Sequence, residues 1–135
     1  MGLTPAEGNA ILAAHFAPWV LALGLVVEEV GEGSATLRLP WSTDLAREGG
    51  ALSGQAMMAA ADTASVIALS ATRGGFFPMT TVQLSSTFQR PVLGEDTLVR
   101  AEVTKAGRSL AFVNITLSAS KGVAAEVSTV YALLA

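Results

Sequence analysis

The stretch Gly49–Thr72, GGALSGQAMMAAADTASVIALSAT, carries one charge in the middle of a long apolar run. From Ser53 onward it reads as a helix. Alanine and methionine are strong formers, Ser53 can N-cap by accepting from the free N–H groups of the first turn, and Gly74-Gly75 can end it. Ala56, Met57, Met58, Ala59, Ala60, Ala61, Ala64, Val66, Ile67, Ala68 and Leu69 run all the way round, as expected of a helix enclosed by protein. Asp62 sits among them. A carboxylate there must be paired, hydrogen-bonded or kept partly neutral, because a bare charge in an apolar medium is too costly. That makes Asp62 the leading candidate for chemistry. The competing reading is structural, with Asp62 bonding a neighbouring hydroxyl such as Ser65 or bracing a subunit contact.

With 135 residues, 51% of them hydrophobic, the chain fits a single domain over 1–135 with a real core. It has no cysteine and only one histidine, His15, so thiolate chemistry, disulfides and a histidine metal cluster are excluded, and neither a metal nor a cofactor is expected. A net charge of −3 and the lack of a basic run argue against nucleic acid. No basic n-region with an apolar run opens the chain, so a cytoplasmic protein is expected. The segment Ala56–Leu69 is too short for a membrane span and carries Asp62. With only 14% charged residues, such a chain is expected to hide surface in an oligomer.

Thr4-Pro5-Ala6-Glu7 reads as a capping box, opening a short helix that ends near Pro18 and places Ile11, Leu12, His15 and Phe16 at helical spacing. His15 is read as a structural histidine. Leu25–Val30 and Ala35–Leu39 flank Gly31-Glu32-Gly33 as a hairpin. Trp41 to Gly50 is a loop carrying Asp44, Arg47 and Glu48. After the long helix, Thr80–Arg90 alternates, with Val82, Leu84 and Phe88 expected on one face and Thr81, Gln83, Ser85, Thr87 and Gln89 on the other. Thr97–Lys105, Leu110–Ser120 and Val123–Leu134 follow, joined by short turns. One long helix and about six strands fit an α+β arrangement, a curved antiparallel sheet wrapping the helix.

Ser53-Gly54-Gln55, Met57-Met58 and Ala61-Asp62-Thr63-Ala64 on the helix, with Ser86-Thr87-Phe88-Gln89-Arg90-Pro91 and Lys105-Ala106-Gly107-Arg108 on strands, resemble the hotdog-fold thioesterases of the phenylacetate-pathway (PaaI-like) group. The resemblance runs from about Val26 to the C-terminus. It implies a sheet wrapped round a central helix, dimers with a continuous sheet, often homotetramers, and metal-free hydrolysis of acyl-CoA thioesters. The family's His-Gly-Gly signature is followed nine residues after the histidine by Asp or Glu. Counting back nine from Asp62 gives Ser53, so the resemblance puts Asp62 at the catalytic carboxylate position and Gly54 at the position whose N–H polarises the thioester carbonyl. Ser53 in place of histidine, and Arg47 where many relatives have Asn or Gln, depart from that pattern.

A helix N-terminus offers free N–H groups and a positive dipole end to a developing oxyanion, and glycine permits close approach. Gly54 and Asp62 lie eight residues apart, about 12 Å along a helix, too far to serve one carbonyl, so if both act they come from different subunits. Asp62 is then nucleophile or general base, with hydrogen bonds expected from the hydroxyls of the Thr81–Thr87 strand. Arg47, Ser53, Gln55, Met58, Ser85 and Thr87 are candidates for substrate contact. Arg90, Lys105 and Arg108, near strand ends and turns, are candidates for the phosphates of coenzyme A, with solvated turn charges as the plainer reading. The alternative function is a non-catalytic acyl-CoA or fatty-acyl binding dimer, in which the changes at Ser53 and Arg47 mark lost chemistry.

Overall fold

In the computed structural model, which describes residues 2–134, helix α1 spans Pro5–His15 and is followed by the single turn α2, Pro18–Leu21. The capping box forms: Thr4 Oγ1 accepts from the Glu7 N–H at 3.1 Å, and Glu7 Oε1 accepts from the Thr4 N–H at 2.9 Å. Strands β1 (Val26–Gly31) and β2 (Ser34–Leu39) make the expected hairpin, with Gly33 at φ 75° in its turn. Helix α3 runs Gly54–Ala71, N-capped by Ser53, whose side chain accepts from the Ala56 N–H at 3.1 Å. Strands β3 (Met79–Phe88), β4 (Thr97–Ala106), β5 (Leu110–Ala119) and β6 (Gly122–Leu133) complete the chain.

All neighbouring strands pair antiparallel in one six-stranded sheet of order β1-β2-β4-β5-β6-β3. The sheet's inner face packs on α3. Leu37, Val99, Ile115 and Leu117 from the strands meet Ala60, Ala61, Ala64, Ile67 and Leu69 of the helix, all essentially inaccessible to solvent. Small alanine side chains let the sheet approach closely enough to leave a dry interior. Inside this layer Ser65 Oγ donates to the Ala61 carbonyl at 3.0 Å and lies 3.0 Å from Thr129 Oγ1. Ser65 therefore bonds to the helix and to β6, not to Asp62.

Two expectations need correcting. Helix α3 is not enclosed all round: Gln55 is exposed, and Met58, Ala59 and Asp62, at helical spacing from it, are only partly buried. The alternation expected in β3 also breaks. The β3–β6 register slips between Thr81 and Gln83, pairing Thr81 with Tyr131 but Gln83 with Val130, so Val82 is the extra residue of a bulge. Val82 is consequently 59% exposed, and Thr81, expected beside Gln83 on the outer face, turns to the helix side with its partner Tyr131. Phe88 keeps the face expected of it with Leu84, and at the strand's end it is 48% exposed.

The sheet has two edges, and they differ. On β1, the Asn9 side chain of α1 accepts from the Val27 N–H at 2.9 Å and donates to the Val27 carbonyl at 3.2 Å, occupying both backbone groups of that residue. On β3, no strand among the described residues pairs with the outer edge.

Candidate active site

Asp62 is held on its helix face by hydroxyls from two adjacent strands. Thr81 Oγ1 donates to Asp62 Oδ1 at 2.9 Å, a contact the Val82 bulge makes possible. The Tyr131 hydroxyl makes a short bond to the same Oδ1 and lies 2.9 Å from the Asp62 main-chain oxygen. Oδ2 accepts no bond from the described residues. Burial pushes the Tyr131 phenol well above the usual tyrosine range, the negative charge of Asp62 and the hydrogen bond to it add to the shift, and the Thr81 hydroxyl opposes it. The phenol is therefore a hydrogen-bond donor at any ordinary pH.

Asp62 forms part of the wall of a cleft of about 270 Å³. The cleft is also lined by Phe16, just after α1, Trp19 and Val20 of α2, Phe76 from the approach to β3 and Met79 at its start. His15 belongs to the same wall, exposed rather than packed in the core, its ring stacked on Phe76 with centroids 3.7 Å apart and an interplanar angle of 8°. The lining thus combines apolar and aromatic side chains with the oxygen atoms of Asp62, Thr81 and Tyr131. The bond from Thr81 meets the expectation that a hydroxyl of the Thr81–Thr87 strand serves Asp62, whereas Tyr131 and the aromatic residues of the cleft were not singled out from the sequence. The signal for Tyr131 was present: the chain's one tyrosine lies on a strongly apolar strand, where a buried phenol needs an acceptor.

Gly54 lies at a second cleft, of about 370 Å³, bounded by Arg47, Leu52, Met57, Phe88, Gln89 and Arg90. As the first residue of α3 its N–H precedes the helix's own acceptors, and among the described residues neither it nor the Gln55 N–H finds a partner. A Cβ at Gly54 would stand 3.2 Å from Phe88 Cζ, so the absence of a side chain leaves room beside the ring. Ser53 spends its hydroxyl on the cap. Arg47 is exposed and turns its guanidinium to the Glu48 carbonyl at 2.8 Å, rather than to a carboxylate.

Within one chain the candidates therefore divide between the two ends of β3. Gly54, Arg47 and Arg90 gather at the Phe88 end, and Asp62 with Thr81 and Tyr131 lies near the Met79 end. Lys105 and the Arg108 turn, exposed, belong to the Met79 end too, since Ala106 pairs with Ala111, Ala111 with Tyr131, and the Leu133 N–H donates to the Ser109 carbonyl at 2.9 Å. Ser85 and Thr87 are exposed on the sheet's outer face, paired with Ser128 and Glu126, and border neither cleft. Among the described residues no group of His, Cys, Asp and Glu is placed to hold a metal ion, and no helix is long and apolar enough to cross a membrane.

Comparison with solved structures finds the same architecture. A conserved protein, PA5202, from Pseudomonas aeruginosa superposes with a TM-score of 0.83 at 24% identity, covering 88% of this chain and 95% of that one. The E. coli PaaI protein from the phenylacetic acid degradation operon gives 0.84 at 16% identity over 96% of this chain and 92% of its own. Zebra fish thioesterase superfamily member 2 gives 0.82 at 24% identity over 96% and 95%. A search of curated proteins finds no match. The profile of the thioesterase superfamily matches residues 49–126, from the loop before α3 into β6. With that match over more than half its length the chain belongs to the thioesterase superfamily, and it shares its hotdog fold with PaaI proteins among its structural neighbours.

Proposed function

We propose that the protein hydrolyses the thioester of an acyl-CoA at a site shared between two subunits. The observation that carries this reading is Asp62: a carboxylate anchored through Oδ1 by two hydroxyls, its Oδ2 unbonded, in a cleft with an apolar wall. Oδ2 attacks the carbonyl carbon or takes a proton from the water that does. The oxyanion of the tetrahedral intermediate is met by the Gly54 N–H of the partner subunit, and its collapse breaks the carbon–sulfur bond. In the general-base route the proton taken from water passes to the departing coenzyme A thiolate and the acid forms directly. In the nucleophilic route a mixed anhydride is left on Asp62, which water hydrolyses to the carboxylic acid and the free carboxylate. No cofactor takes part beyond the coenzyme A of the substrate.

The open β3 edge supports the shared site. Thr81 marks the Asp62 end and Phe88 the Gly54 end, and the middle of that span falls between Leu84 and Ser85. Two β3 strands pairing antiparallel about a two-fold axis there bring the Asp62 end of each subunit to the Gly54 end of its mate. The same operation sets Arg90 of one subunit at the end that carries Lys105 and Arg108 of the other, three cations for the coenzyme A phosphates. A cleft of about 270 Å³ lies just below the roughly 300–1,000 Å³ of pockets for drug-sized ligands, which suits the acyl group alone. The working protein is a homodimer, or a tetramer of two such dimers, in the cytoplasm.

Thiol release from short-, medium-, long-chain and aromatic acyl-CoAs tests this. Turnover in wild type that vanishes in a folded Asp62→Asn dimer supports it. Full activity in Asp62→Asn contradicts the role of Asp62. No turnover on any ester by a folded wild-type dimer points to an acyl-CoA binding protein instead.

A further inference from the structure

The Tyr131 ring is 2% exposed on the inner face of β6, and phenylalanine would fill its volume as well. What phenylalanine lacks is the hydroxyl. Both acceptors of that hydroxyl belong to Asp62: the carboxylate Oδ1, and the main-chain oxygen at 2.9 Å. An aspartate turns about two side-chain bonds, and one tether leaves the carboxylate free to swing. Thr81 supplies one tether from an exposed position on an edge strand. Tyr131 supplies the other from a strand paired on both sides, by β5 and β3, with its ring locked in the core. Its single proton, given to Oδ1 with the main-chain oxygen of the same residue also within reach, ties the carboxylate to the helix backbone.

We infer that Tyr131 is a positioning residue for Asp62: its hydroxyl captures Oδ1 and so dictates that Oδ2 is the oxygen presented to the thioester carbonyl or to the attacking water. The inference rests on the reading of Asp62 as the reacting group, and adds to it a residue that touches no substrate. The hydroxyl transfers no proton in this role. It remains the donor while Oδ2 reacts. Because the tether acts on orientation, its loss falls on the chemical step and spares substrate binding.

The test is Tyr131→Phe in the full-length oligomer, with kcat and KM from thiol release and the melting temperature measured together. A displacement of the reacting oxygen by about 1 Å costs up to about a hundredfold, so kcat is expected to fall between about ten- and a hundredfold while KM stays within about twofold. A kcat within twofold of wild type overturns the inference. So does a loss that appears mainly in KM, or one matched by partial unfolding, since either marks a merely structural hydroxyl. A second measurement needs no destabilising variant. As the chain's only tyrosine, position 131 alone takes up fluorotyrosine supplied during expression. Its fluorine resonance is expected to shift between the wild-type background and Asp62→Asn, and a resonance indifferent to that change overturns the coupling. An inactive Asp62→Asn beside a fully active Tyr131→Phe defeats this inference alone. A fully active Asp62→Asn removes the proposed function and this inference with it.

Discussion

Gly54→Ala separates the stability of the first turn of α3 from its chemistry. The added Cβ would stand 3.2 Å from Phe88 Cζ, 3.5 Å from Cε1 and 3.6 Å from Cε2, so the ring must yield by a few tenths of an ångström. It can do so, because Phe88 is 48% exposed and ends its strand. A modest side-chain distortion costs about 0.5–1.5 kcal/mol. Alanine is favoured over glycine in a helix by up to about 1 kcal/mol, less at the first position. The two nearly cancel, so stability should stay within about 1 kcal/mol of wild type and the melting temperature within a few degrees. The chemistry has no such compensation. The methyl group occupies the space beside the free N–H through which a carbonyl oxygen must approach, and losing one oxyanion donor costs on the order of 10²–10³-fold in rate. Differential scanning calorimetry with thiol-release kinetics should therefore find a folded protein whose kcat/KM is lower by on the order of a hundredfold. Wild-type kinetics in a normally folded Gly54→Ala protein would refute the assignment of that N–H.

Other consequences are independent of turnover. Burial and the Asp62 charge raise the Tyr131 pKa above the unfolded value of about 10, so the stability this phenol confers is intact below about pH 10. Above it the unfolded chain ionises and the folded chain does not, so stability falls as pH rises. In an alkaline titration phenolate absorbance should appear only together with loss of helical circular dichroism, and phenolate in still-folded protein near pH 10 contradicts the buried bond to Asp62. At the open edge of β3, Val82→Lys puts a charge where two sheets are proposed to join. Light scattering should then show a folded monomer without thioesterase activity, and an unchanged oligomer would place the interface elsewhere.

Much of the fold was legible because its signals are local. Ser53 and the Thr4 capping box mark helix starts through bonds made within four residues, and six strands are bounded by glycine turns such as Gly33 and Gly122. Asp62 was legible as an anomaly, a charge in an apolar helix. Its partners were legible only in part: a hydroxyl from the Thr81–Thr87 strand was expected, but which one was not, and Tyr131 was missed. Strict alternation through Thr80–Arg90 assigns Thr81 to the outer face, and only the pairing with β6 reveals that Val82 is inserted and that every residue before it changes sides. Tyr131 follows Asp62 by 69 residues, and nothing short of the tertiary fold joins them. The aromatic wall has the same origin. His15 reads as a structural histidine on or beside the apolar face when the first helix is taken alone, yet α1 ends there and leaves the ring exposed on Phe76 in the wall of the Asp62 cleft. The enclosure expected of α3 failed along one stripe, Gln55, Met58, Ala59 and Asp62, because an apolar helix face does not say whether its own chain or a second copy covers it.

Subunit complementation tests the shared site most directly. Asp62→Asn and Gly54→Ala chains are each expected to form inactive homodimers. Co-expressed in equal amounts and pairing at random, they give about half heterodimers, each with one intact site that takes Asp62 from the Gly54→Ala chain and Gly54 from the Asp62→Asn chain. About a quarter of the wild-type rate should be recovered. A mixture that stays as inactive as its parents, with heterodimers demonstrably present, would show that Asp62 and Gly54 do not meet across the interface.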